Sequence, residues 1–201
     1  MNFAFSDVDK RIIIKAYLKY LRTFLVFFCL GCGSVFFINQ DFLYKLFDVI
    51  KIHFELPFLH SDSIWAAIYR IFLLSSVDVL CILFIFIFAF SSFDIVIIYS
   101  VIAYNGFKSG VSTLLVLYCK YVAVEFPRSA SMLTFFSASF ILNLILMIYA
   151  YHSQRYVWKA FSTYKNASCH RTFVSYLSLT AFVFALIFVI NAIYCLTIYL
   201  I

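Results

Sequence analysis

The sequence predicts an all-α, polytopic transmembrane helix bundle of five spans, and three observations carry that prediction. The 201 residues are 66% hydrophobic and only 12% charged, with mean hydropathy +1.04, far more apolar than a soluble domain of this length needs. The apolar residues are gathered into runs of membrane-crossing length separated by short polar segments. The basic residues form two clusters, five before the first span and four between residues 152 and 171. An even number of crossings must separate two such clusters if both obey the positive-inside rule, and a five-span count supplies it.

Taken in order, Ser6-Asp7-Val8-Asp9 reads as a helix start, with Ser6 able to cap and the acids favouring the positive end of the helix dipole. Arg11, Lys15, Lys19 and Arg22 then recur at helical spacing among apolar residues. This predicts a basic amphipathic helix over 1–22, lying on the anionic inner leaflet before the chain turns into the membrane, or a plain positive-inside flank. Span one is Thr23 to Ile38, short unless it borrows from Leu18 to Leu21. The connector 39–63 contains a stretch, residues 41–55, whose apolar residues share one helical face while Asp41, Lys45, Asp48, Lys51 and Glu55 take the other. It is expected as a helix on the outer interface, ended by Pro57. Span two runs from Ile64 to Phe90 and is long enough to tilt. Ser91-Ser92-Phe93-Asp94 is a tight connection to span three, Ile95 to Tyr118. A loop from Cys119 to Ser129 leads to span four, Ala130 to Tyr151, which holds Asn143. A polar loop from His152 to Arg171 leads to span five, from Phe173 onward, which holds Asn191.

The expected organisation is therefore a cytoplasmic basic segment, 1–22, and one five-span membrane domain, 23–201. The chain is expected in the cell membrane, N-terminus cytoplasmic, C-terminus outside, with no cleaved signal peptide and no soluble catalytic domain. The formal net charge of +6 is a topology signal, so no nucleic-acid partner is expected; the lipid bilayer is.

Six cysteines occur, but those within spans act as small hydrophobes. Cys29-x-x-Cys32 has redox spacing without the electropositive surroundings that activate a thiol. His53-x-Glu55 and His60-x-Asp62 repeat a His-x-acid pattern, but Pro57 between them argues against one regular helix that would bring them together, so neither a metal nor a cofactor is expected. No nucleotide, zinc-protease or serine-hydrolase fingerprint is present. Serines within the spans, such as Ser75, Ser76, Ser109 and Ser112, have no histidine in a span to act as base. No enzyme activity is expected.

The costliest residues are the charged and amide side chains inside spans. Asp78 lies about fourteen residues into span two from outside and Lys108 about ten residues from the outer end of span three. At about 1.5 Å rise per residue these depths agree within a turn, so an intramembrane ion pair, with Asn105 beside it, reconciles both charges. Such a pair either fixes helix register or carries protons or ions, though a relay normally needs further carboxylates along a path. Arg70 and Glu125 are expected as a second pair near the outer face. Glycine is scarce, so Gly31, Gly33, Gly106 and Gly110 are expected to mark close helix packing.

Asn105-Gly106-Phe107-Lys108-Ser109-Gly110 in span three, Phe126-Pro127-Arg128-Ser129 before span four and Asn191-Ala192-Ile193-Tyr194 in the last span resemble, in divergent form, motifs of the stage II sporulation protein M family of five-span bacterial membrane proteins. That resemblance implies a non-enzymatic membrane scaffold. In the family, the protein gathers peptidoglycan-degrading partners at the septal membrane during forespore engulfment. The outer connector and the span-three glycine face would then bind membrane or cell-envelope proteins, peptidoglycan hydrolases among them, and self-association is open. Two other readings stand beside it. One is a small transport component, a substrate-binding subunit using Asp78, Asn105 and Lys108 to line a cavity. The other is a structural subunit of a larger membrane complex. A cavity lined by polar side chains from three or more spans favours transport; a packed interior with an exposed glycine face favours scaffolding.

Overall fold

A computed structural model describes residues 7–39, 45, 64–91, 93–122, 129–162 and 168–200. These form five α-helices: α1 (Asp7–Val35), α2 (Ile64–Phe88), α3 (Asp94–Val122), α4 (Ser129–Ser162) and α5 (Ser168–Leu200). No strand occurs among the described residues. Each helix contains a stretch long and apolar enough to cross a membrane: Ile14–Val35, Ile71–Phe88, Asp94–Leu117, Leu133–Gln154 and Phe173–Thr197. The chain is thus an all-α five-span bundle. Its outer surface carries large apolar side chains such as Leu25, Phe72, Phe84, Phe140, Phe182 and Ile193, as a protein whose solvent is lipid requires.

Several boundaries differ from the sequence expectation: α3 runs on to Val122 and α5 begins at Ser168, each a few residues into an expected loop, and three others say more about the bundle. The basic segment and span one form one uninterrupted helix from Asp7 to Val35, without the expected turn at residue 22. Sixteen residues from Thr23 to Ile38 would cover only about 24 Å of a core about 30 Å thick. The span therefore begins at Ile14, and the exposed Lys15, Lys19 and Arg22 extend their charges along its surface. At the other end α1 stops three residues early. The bonds Phe36 N–H to Gly33 O (3.2 Å), Phe37 N–H to Ser34 O (3.1 Å) and Ile38 N–H to Val35 O (3.3 Å) tighten the chain into turns. Finally, residues 152–162, expected as loop, continue α4 to Ser162. Their polarity marks a helix leaving the membrane, not an end of helical structure: Gln, Arg, Trp, Lys and Ala all tolerate a helix, and no Gly or Pro interrupts them. The α2–α3 turn is as tight as expected, closed by Ser91 N–H to Phe88 O at 2.9 Å and Asp94 N–H to Ser91 O at 3.3 Å. The connector helix over 41–55 and the His53 and His60 dyads lie outside the described residues, apart from helical, exposed Lys45.

Helices α2, α3, α4 and α5 form a closed ring in which each touches the next, and α1 lies outside it against α3, the most extensive helix contact in the molecule. The chain order makes two ends. At the basic end lie the N-termini of α1, α3 and α5 and the C-termini of α2 and α4; the connector 39–63 joins the bundle at the opposite end. The apolar core, including Ile82, Ile85, Ile98, Ile102, Met147 and Val183, occupies the middle and the basic end. There Tyr149 and Tyr176 stack with ring centroids 6.0 Å apart, and Tyr20 of α1 bonds from its hydroxyl to Gln154 Oε1 at 2.8 Å.

Candidate functional site

The glycines explain why α1 and α3 lie so close. A Cβ at Gly106 would sit 2.5 Å from the Phe24 carbonyl oxygen, and one at Gly31 or Gly110 would strike the carbonyl oxygens of Phe107 and Phe28. Phe24 pairs with Gly106 and Phe28 with Gly110, four residues on along both helices, so α1 and α3 are parallel, and Gly106-x-x-x-Gly110 brings their backbones into direct contact. The Cys32 thiol donates to Gly110 O at 3.3 Å across the seam, while Cys29 is exposed. Gly33, expected in the same role, plays no part in the seam: a Cβ there would meet nothing within 4 Å. The span-three glycine face is thus covered by the chain's own first helix and is not free for a partner protein.

The next face of α3 points into the ring. Lys108 Nζ donates to Asp78 Oδ1 at 3.2 Å; the lysine side chain is 38% exposed and the aspartate 18%. One turn away, Asn105 donates to Cys81 Sγ at 3.3 Å and to Val101 O at 3.0 Å. Sequence reasoning also noted Asn143 and Asn191 inside spans but assigned them no role. Asn143 of α4 donates to Ser109 Oγ at 3.1 Å and Ser139 O at 2.8 Å. Asn191 of α5 donates to Ser75 Oγ of α2 at 3.0 Å. Each ring helix therefore contributes at least one amide or charged side chain at similar depth. That shared depth was the available signal. The Arg70 and Glu125 side chains, expected as an outer pair, lie outside the described residues, as does the Arg11 side chain.

These groups line a cavity of about 460 Å³ in the half of the ring nearer the connector end. All four ring helices contribute walls and α1 contributes none. Leu73, Val77, Val116, Leu142 and Ile145 make them largely apolar; Asp78, Asn105, Lys108, Ser112, Asn143, Asn191 and Tyr194 interrupt them. The size and the mix of apolar wall with a few placed polar groups match a small-molecule site. Toward the basic end the interior closes over Ile82, Ile102, Leu146 and Ile187. Below that lies a buried hydroxyl cluster that sequence reasoning missed: Tyr149 OH bonds with Thr180 Oγ1 (2.8 Å) and Tyr176 OH (3.1 Å), and Ser153 Oγ with Tyr176 OH (2.7 Å). Hydroxyls of Ser, Thr and Tyr are ordinary within spans, so nothing in the sequence set these four apart.

Comparison of the chain with family models, with curated proteins and with solved structures finds no match in any of the three.

Proposed function

We propose that this protein is a non-enzymatic membrane component that binds a small molecule within its helix ring, as the substrate-binding part of a transport system does. The observation that carries the reading is the 460 Å³ cavity, lined by polar side chains from all four ring helices. With the basic end taken as cytoplasmic, the cavity belongs to the outer half of the membrane, where a substrate-binding subunit would meet its ligand. The closed core beneath it separates the site from the cytoplasmic face.

The scaffold reading drawn from the likeness to stage II sporulation protein M has less support. Of the two partner surfaces it calls for, the span-three glycine face is occupied by α1, and the outer connector lies outside the described residues apart from Lys45.

The test is a thermal-shift survey of uncharged and charged metabolites on the full chain in lipid nanodiscs. Compounds that raise the melting temperature are expected. The rise should vanish in Ser112→Trp, which fills the cavity, and fall in Asp78→Leu. Should no compound act on the native protein while Ser112→Trp simply stabilises it, the cavity is a packing defect and the reading fails.

A further inference from the structure

We infer, resting on the small-molecule reading above, that the cavity selects an uncharged ligand whose polar edge is rich in N–H or O–H donors, carried on an apolar or aromatic body. The inference comes from which hydrogen-bonding groups are already used. Asn105 and Asn191 are 3% and 5% exposed, and both line the cavity along with Asn143. All three donate through Nδ2 to protein acceptors. For Asn105 and Asn143 one acceptor is a backbone carbonyl, which fixes the amide orientation, since only the nitrogen can donate there. Their Oδ1 atoms accept nothing among the described residues. Asp78 likewise uses Oδ1 only, leaving its second oxygen without a bond among the described residues. The Tyr194 hydroxyl, on a residue 6% exposed, also lacks one there.

Acceptors left unpaired away from water are costly, so three acceptor oxygens bordering one cavity, on Asn105, Asn143 and Asp78, call for an occupant that donates, while the Tyr194 hydroxyl can serve either way. Lys108 is the one cationic donor among the described lining residues; one of its three N–H groups goes to Asp78, and its side chain is 38% exposed. The charge count then limits the ligand further. Among the described residues Asp78 and Lys108 are the only charged ones that line it, and they neutralise each other. A net-charged ligand would bring an uncompensated charge into a ring otherwise walled by Leu, Val and Ile. Phe135 and Tyr194, with ring centroids 6.3 Å apart, border the cavity and suit a flat body.

The test measures binding of five probes to the full chain in nanodiscs by saturation-transfer NMR. They are aminopyrazine, its dimethylamino analogue without N–H donors, toluene, and the charged benzamidine and benzoate. Aminopyrazine is expected to bind about tenfold more tightly than the dimethylamino analogue, the worth of one or two well-made bonds, and more tightly than the other three. Asn105→Leu and Asn143→Leu should each narrow that preference. The comparison among probes on the native chain stands even if a variant fails to fold. Equal binding of aminopyrazine and its dimethylamino analogue overturns the donor requirement, and tighter binding of benzamidine or benzoate overturns neutrality; either result leaves the cavity a ligand site. Absence of binding by every probe, or binding unchanged in Ser112→Trp, overturns the cavity reading itself.

Discussion

Asp78 and Lys108 illustrate how far a single residue type at a single depth can be read. A carboxylate and an ammonium in separate spans are each costly in lipid, and matched depth on helices joined by a short turn leaves them one inexpensive arrangement, contact with each other. In the structure they are 3.2 Å apart. Removing one partner of a buried pair costs about 3–5 kcal/mol because the other charge is stranded. Since this pair borders a cavity and Lys108 is 38% exposed, Asp78→Leu or Lys108→Leu alone should destabilise the protein by about 3 kcal/mol, near the low end of that range. Asp78→Leu combined with Lys108→Leu should recover most of the loss, yet lose ligand-induced stabilisation. Denaturation of the four proteins in mixed detergent micelles gives the double-mutant cycle. Single changes without effect, or a double change no better than either single, would contradict a coupled pair. Asn143 and Asn191 show where residue-level reading stops. Asparagine can satisfy itself on its own helix, as Asn143 partly does through Ser139 O, so its presence in a span does not reveal which way it faces. Only the ring geometry shows that three asparagines border the same space.

At the scale of elements, the number, order and approximate extent of the spans were legible because a membrane imposes length and apolarity on every crossing. The α2–α3 turn was legible because Ser91, Ser92 and Asp94 interrupt an otherwise apolar run. The ends were less so. Residues 152–162 are polar because they leave the lipid, and polarity alone does not distinguish an exposed helix from a loop. The glycines divide in the same way: composition marks all four as unusual, but only three meet another backbone. Gly31, Gly106 and Gly110 make the α1–α3 seam, and Gly33 faces open space. This separation is testable. Gly110→Leu inserts a side chain where the Phe28 carbonyl stands, and overpacking of this kind costs about 1–3 kcal/mol, with the upper end expected because the obstacle is backbone. Gly33→Ala meets nothing and should be neutral or stabilise by up to about 1 kcal/mol through helix propensity. Unfolding in mixed micelles checks both, and equal destabilisation by the two changes would mean that the seam does not follow the glycines. One of the three stretches that carry the likeness to the sporulation family, Asn105 to Gly110, holds two of these glycines, which the chain uses to hold its own first helix.

Across the whole molecule the ring is layered along the membrane normal. Polar groups and a cavity occupy the half nearer the connector, an apolar plug of Ile82, Ile102, Leu146 and Ile187 crosses the middle, and a buried hydroxyl cluster around Tyr149, Ser153, Tyr176 and Thr180 closes the basic half. A cavity at one end and a plug at the other predict one-sided access. The expectation can be read in a chain whose six native cysteines are replaced by alanine or serine, with one cysteine returned at a time. Cysteine at position 112, in Ser112→Cys, lines the cavity and should react with a membrane-impermeant thiol reagent added to the connector side. Cysteine at position 180, in Thr180→Cys, lies beneath the plug, where the native residue is 3% exposed, and should react from neither side. Cysteine at position 164, in Tyr164→Cys, lies between α4 and α5 at the basic end. If the nine basic residues of segments 1–22 and 152–171 set the topology, it should react only after the cytoplasmic face is opened. Reaction of positions 112 and 164 from the same side would break the layered arrangement, because the cavity and the α4–α5 segment lie at opposite ends of the same helix. Labelling of position 164 in intact cells, with position 112 labelled only after permeabilisation, would keep the layers and reverse the orientation. Rapid labelling of position 180 from the basic side would mean that the plug opens without a ligand, making the closed end one state of a bundle that alternates between two.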